Sequence, residues 1–97
     1  MVAKDLNNKP PLNLIPYSSL CAIARARDYG VKKYGDDIVW KEVEAIHFIA
    51  AAQRHLFKYT SGEEFDSESG LNHLDHAIAS IALAIAVNEI HDTLFTV

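Results

Sequence analysis

Residues 71–87 carry Leu71, Leu74, Ala77, Ile78, Ile81, Ala82, Leu83, Ile85 and Val87, with only short polar interruptions. On a helix these positions cover most of the circumference, and a helix that is apolar on nearly every side is buried on nearly every side. A chain of 97 residues supplies one core and little margin. Three helices in one chain do not easily enclose this segment, and its alanines suit close helix–helix contact. The expectation is therefore all-α: a helical bundle of about three helices per chain, completed by homo-oligomerisation. Residues 1–97 read as a single domain, of which 1–16 form an extended arm. A compact monomer with residues 92–97 folded over the apolar helix is the alternative.

Local signals set the other boundaries. Pro10, Pro11 and Pro16 block helix in the arm, while Leu12, Leu14 and Ile15 supply side chains to bury. A first helix is predicted from Tyr17 to about Tyr34, with Leu20, Ile23, Ala24 and Val31 on its apolar side and Gly30 late in it. Gly35-Asp36-Asp37 makes a turn, and Trp40 leads into a second helix over about 41–60. One stripe of that helix is Val43, Ile46, Ala50 and Phe57; another is Phe48, Ala52, Leu56 and Tyr59. An acidic loop follows. A third helix starts near 69–71, capped by Ser67 or Ser69, and runs to about His91. Leu94, Phe95 and Val97 in the tail are expected to be covered.

Composition narrows the function classes. Hydrophobic residues make up 49% and charged residues 23%, a globular mixture. A formal charge of −4 argues against binding DNA or RNA polymers through a basic face, but leaves room for a small nucleotide held by a local cationic cluster. Cys21 is the only cysteine, so no intrachain disulfide forms, and its apolar surroundings suggest a buried thiol. Residues 1–11 lack the apolar centre of a secretory signal, and residues 77–87 are too short to span a bilayer. A cytoplasmic protein with no membrane partner is expected.

Three clusters bear on chemistry. His47 and His55 lie on the second helix, His73 and His76 on the third. His73 and His76 share a face that Ser80 continues, and Glu44 and His47 are likewise three apart. Such sets suit metal ligation, proton transfer, or mutual hydrogen bonding in a core. Arg25, Arg27, Lys32, Lys33, Arg54 and Lys58 form the cationic set. Arg54 interrupts an apolar helix and needs either a phosphate or an internal acid such as Asp66, Glu68 or Asp75. Glu63, Glu64, Asp66 and Glu68 lie just before the third helix. They serve as capping groups or as one wall of a metal–phosphate site.

Four blocks in order carry a resemblance: Lys9-Pro10-Pro11-Leu12-Asn13-Leu14-Ile15-Pro16; Tyr29-Gly30-Val31-Lys32-Lys33-Tyr34-Gly35 followed by Trp40; Ala52-Gln53-Arg54-His55-Leu56; and residues 62–77, with Glu63, Asp66, Glu68, Ser69, Gly70, His73 and His76. The order resembles the phage-encoded dATP/dGTP diphosphohydrolase family, related to the all-α, MazG-like nucleoside triphosphate pyrophosphohydrolases. The resemblance implies an oligomeric helical fold that removes pyrophosphate from purine deoxynucleotides. It implies Lys32, Lys33, Tyr34, Trp40, Arg54, Ser69, Gly70, His73 and His76 as substrate-binding residues, which Lys58 of the cationic set joins, and Glu63, Asp66, Glu68 and His55 as catalytic ones. Glu63, Asp66 and Glu68 would also hold Mg²⁺ or Mn²⁺. The second helix departs from the related enzymes by placing Ala50 and Ala51 where an inward acid is expected. A second reading, a phage protein that sequesters a signalling nucleotide of host antiviral defence without hydrolysing it, needs the same cations and aromatic walls but no metal acids. A structural role is the third.

Overall fold

The computed structural model of the chain describes residues 9–35 and 38–96, with side chains up to His91. The arm over residues 1–8, the Asp36-Asp37 part of the turn and the side chains of the tail lie outside the described residues. Three α-helices form the chain: α1 (Tyr17–Tyr34), α2 (Ala45–Thr60) and α3 (His73–Thr96). Short 3₁₀ turns occupy Leu12–Leu14 and Val39–Glu42. The all-α bundle is as expected.

Each boundary has a local cause. Pro16 cannot continue a helix backwards, and its carbonyl accepts the first bonds of α1 from Ser19 and Leu20. Gly35 ends α1 in the left-handed conformation at φ 80°, its N–H bonded to Val31. Gly30 remains inside the helix. The second helix starts later than the expected residue 41, because residues 39–42 tighten into the 3₁₀ turn and Val43 and Glu44 are extended. Its end is a Schellman motif: Gly62, at φ 106°, bonds back to Tyr59, and Glu63 N–H to Lys58 O. The third helix also starts later, at His73. Asn72 caps it, its Oδ1 accepting from Leu74 N–H at 2.8 Å, in place of the expected Ser67 or Ser69. It runs on to Thr96, past the predicted end near His91.

The third helix packs against α1, α2 and the 39–42 turn, which places it at the centre. The contacts are close because they are made largely by alanine: Ala26, Ala52, Ala77, Ala79 and Ala84 are buried, with Val87 the one large aliphatic among them. His73 and Asp75 are buried in the first turn of α3. The Arg25 guanidinium ties α1 to that turn through a two-pronged pair with Asp75, at 2.9 and 3.2 Å.

Several residues expected inside are outside. Leu12 and Leu14 are 69% and 74% exposed, and Ile15, Leu20, Ile46 and Phe57 also face out; Cys21 is half-buried. The open side of α3 is its most apolar one. Leu74, Ile78, Ile81 and Ile85 follow a four-three-four spacing, a single stripe, and Ile85 is 64% exposed. Residues that pack alanine to alanine bury little area per contact, and each large side chain left in water forgoes about 1.5–3 kcal/mol.

Two outcomes follow from this packing. Sedimentation or light scattering should find more than one chain per particle, and Ile85→Asp, exposed enough not to disturb the intrachain core, should return a folded monomer at micromolar concentration. Arg25→Ala should lower stability by about 1–3 kcal/mol in denaturant titration, because it leaves Asp75 buried without its partner.

Candidate functional site

A cavity of about 470 Å³ lies where α1, the 39–42 turn, α2 and α3 meet. That is within the ordinary size range of small-ligand sites. Tyr34, Trp40, Phe48 and Leu83 give it apolar and aromatic walls, and Arg27, His47, Ser80 and His76 its polar groups. Arg27, Gly30 and Tyr34 share one face of α1, at steps of three and four. The missing side chain at Gly30 leaves space there, with the Arg27 guanidinium as the nearest group.

His76 joins the cavity to a hydrogen-bonded loop. The loop of residues 63–72 closes on itself through Asp66 N–H to Leu71 O, Gly70 N–H to Asp66 O, His73 N–H to Glu64 O, and a bridge between Phe65 and Asn72. Gly70 turns the chain at φ 76°, a backbone role. Inside the loop Asp66 Oδ2 accepts from the Ser69 N–H at 2.9 Å and the Ser69 hydroxyl at 2.8 Å. His76 Nε2 lies 2.7 Å from the same hydroxyl and 3.8 Å from the Asp66 carboxylate. Burial alone would raise the Asp66 carboxyl, but the Ser69 bonds and nearby His76 and His55 hold it below the usual carboxylate range. An ionised carboxylate only accepts, so the single Ser69 proton goes to Asp66. Ser69 Oγ then accepts from His76, which must carry its proton on Nε2. Nδ1 of His76 keeps its lone pair.

A second chain runs parallel. Glu63, delivered by the Schellman turn, meets Nε2 of the buried His73 at 2.6 Å. Nδ1 of His73 faces Nδ1 of His55 at 2.9 Å. Where His73 donates from Nε2 to Glu63 and accepts at Nδ1, His55 donates from its Nδ1 and keeps a lone pair on Nε2. The His55 and His76 rings stack at 4.5 Å, 14° from parallel. Tyr29 meets the edge of His76 at 5.8 Å. Burial, reinforced by His76 and His73, pushes the His55 imidazole down to about 4, and burial likewise lowers His76. Both rings are neutral near pH 7.

The expected site residues thus divide. His55, Asp66, Ser69, His73 and His76 come together, and Tyr34 and Trp40 join them through the cavity. Glu63, Asp66 and Glu68, the acids expected to hold Mg²⁺ or Mn²⁺, each meet a different partner. They serve His73, Ser69, and the Tyr29–Lys33 pair respectively, and no group of three or more histidine, cysteine or carboxylate side chains among the described residues is arranged to hold a metal ion. Lys33 pairs with Glu68 at 2.7 Å and Lys32 with Asp28 at 2.8 Å, at the helix end whose dipole favours cations over phosphate. These bonds hold the Glu68 carboxyl low, Lys33 first and Tyr29 second. Arg54 and Lys58 are exposed. Among the described residues Arg54 has no internal acid: Asp75 belongs to Arg25, Asp66 to Ser69 and Glu68 to Lys33. Glu44 and His47 are exposed, and only His47 reaches the cavity. Arg27, Phe48 and Ser80 were not among the expected binding residues. In the sequence Arg27 reads only as a member of the cationic set, and Ser80 only as continuing the face of His73 and His76.

Acid should weaken this fold in two steps. Unfolded His55 takes up a proton near pH 6.5, folded His55 only near 4. Between those values the unfolded chain binds more protons, so stability falls as pH falls through that window; His76 acts in the same direction. Asp66 stabilises above the unfolded carboxyl pKa of about 3.9, and that contribution is lost as pH falls through its lower folded value. Thermal melts followed by circular dichroism should show Tm declining from about pH 6.5 to 4, with a shallower decline in His55→Gln.

The family described as "dATP/dGTP diphosphohydrolase, N-terminal" matches residues 2–95. A dATP/dGTP diphosphohydrolase of Salmonella phage PMBT28 is 30% identical over 73 residues, 75% of this chain and 25% of that protein. The chain therefore spans about a quarter of that relative's length. No solved structure matches it. No helix among the described residues is long and apolar enough to cross a membrane.

Proposed function

We infer, because the chain belongs to the dATP/dGTP diphosphohydrolase N-terminal family, that it binds a purine (deoxy)nucleoside triphosphate and hydrolyses it to monophosphate and pyrophosphate. One observation carries the reading: the aromatic-walled cavity and the carboxylate–hydroxyl–imidazole chain share His76. Trp40, Tyr34 and Phe48 offer flat faces to a purine ring. Arg27 supplies a guanidinium at the same wall. Water is the second substrate, and its oxygen becomes part of the monophosphate. The triphosphate is presented as its Mg²⁺ or Mn²⁺ complex, so that cation enters with the substrate. This reading requires the cytoplasm, where nucleoside triphosphates are made and used.

A second reading has its own observation. Lys32 and Lys33 are paired to acids, and the described carboxylates do not gather in threes with histidine or cysteine to hold a metal ion. A protein that holds an intact nucleotide, including a signalling nucleotide of host antiviral defence, needs no converging acids.

Incubation with dATP and dGTP, with Mg²⁺, with Mn²⁺ and with chelator, followed by ion-exchange separation of the nucleotides, decides between them. Hydrolysis predicts deoxynucleoside monophosphate and pyrophosphate in equal amounts. Intact nucleotide recovered from denatured protein, with no monophosphate in any arm, establishes the binding reading. In both cases Trp40→Ala should weaken nucleotide binding about tenfold or more in calorimetry, since an aromatic–base stack is worth about 1–3 kcal/mol.

A further inference from the structure

We propose that His76 is the proton acceptor for the attacking water, through its Nδ1, and that Ser69 and Asp66 are positioning residues that hold it in the Nε2–H form. The proposal rests on the hydrolytic reading of the cavity and assigns the groups that would perform it. Its geometry is the hydrogen-bond chain itself. Asp66 takes the only hydroxyl proton of Ser69 at 2.8 Å, and that hydroxyl can then only accept from His76, 2.7 Å away. A second Ser69 contact, Leu71 N–H to Oγ at 3.2 Å, fixes the hydroxyl oxygen from the backbone. Among the described residues the bonds of the His76 ring are made at Nε2, and none is made at Nδ1. His76 also lines the cavity.

The ring is also held in its plane. His55 stacks on one face at 4.5 Å, and Tyr29 packs against the ring with its own ring nearly perpendicular, at 83°. His55 is in turn bonded through His73 to Glu63, so its position is as constrained as that of His76. A neutral imidazole with its far nitrogen anchored and its near lone pair open is suited to general-base work.

In the step, the water oxygen bonds to the α-phosphorus as one water proton passes to Nδ1. The bond from the α-phosphorus to the bridging oxygen breaks, and its electron pair leaves with pyrophosphate. The resulting imidazolium still donates from Nε2 to Ser69, with the Asp66 carboxylate 3.8 Å away to offset its charge. The extra proton then returns to solvent.

Three variants and one spectrum test this. His76→Gln keeps an N–H to give to Ser69 but has no basic nitrogen. Its kcat should fall by roughly a hundredfold to ten-thousandfold while KM and nucleotide affinity stay near those of the unmutated protein. Ser69→Ala keeps the backbone bond to Asp66 and removes the hydroxyl; it should lower kcat with KM little changed, and Ser69→Thr should restore it. In the unmutated protein, ¹⁵N NMR of the histidines should show His76 protonated at Nε2, and in Ser69→Ala that preference should relax. Turnover by the unmutated protein with unchanged kcat in His76→Gln overturns the proposal and leaves the hydrolytic reading standing. Nucleotide bound without turnover overturns both. A spectrum with the His76 proton on Nδ1 overturns the proposal by itself.

Discussion

A fully buried imidazole at the start of α3 needs a partner on each ring nitrogen, and most of the site is arranged around meeting that need. A buried polar group left unpaired costs about 1–3 kcal/mol, a large share of what a domain of this size can lose. His73 obtains one partner from Glu63 and the other from His55. Glu63 is available because the Schellman turn at Gly62 stops α2 and turns the chain back. The next ten residues must then return to the top of α3. Asp66, placed midway, closes the turn by bonding Ser69, and the closed turn presents Ser69 to His76. The second chain is thus a consequence of the loop that satisfies the first.

The same logic governs the acids. This chain carries more carboxylates than cationic side chains, yet the acids described at the site are engaged by neighbours. Asp75 holds Arg25, Glu68 holds Lys33 and Tyr29, Asp66 holds Ser69, and Glu63 holds His73. Acids used this way fix the positions of other groups. They anchor imidazoles and tie α1 to the loop, and the polar groups left at the cavity are nitrogen and hydroxyl groups. An alanine-lined interior lets the three helices approach closely enough for those short bonds. It also leaves the large aliphatic side chains on the outside.

Some features were legible because their causes are local. Pro16 and Gly35 bracket α1, and a residue that cannot extend a helix acts the same way in any context. That His73 and His76 share a face could be read from three-residue spacing, and the aromatic residues Tyr34 and Trp40 from their place in the family pattern; that His55 meets both histidines could not. The start of α3 was not legible. Ser69 has the chemistry of an N-cap, but closing the loop through Asp66 uses it elsewhere, and Asn72 takes the cap. The pairing of Lys33 was not legible either, because sequence does not show that Glu68, over thirty residues away, meets it. Arg54 looked like an interior cation because its neighbours are apolar, yet α2 buries so little that its guanidinium stays in water.

Composition and periodicity by themselves determined an all-helical chain with a central apolar helix and histidines on facing elements. Those follow from side-chain spacing along one helix, which needs no knowledge of any other. Tertiary structure alone decided which acid meets which base, that Arg27 rather than Lys32 or Lys33 reaches the cavity, and that the carboxylates serve imidazole, hydroxyl and lysine in place of converging on one point. Hydrogen bonds are set within a few tenths of an ångström by the packing of whole helices, and a pattern of residue types carries no information at that scale.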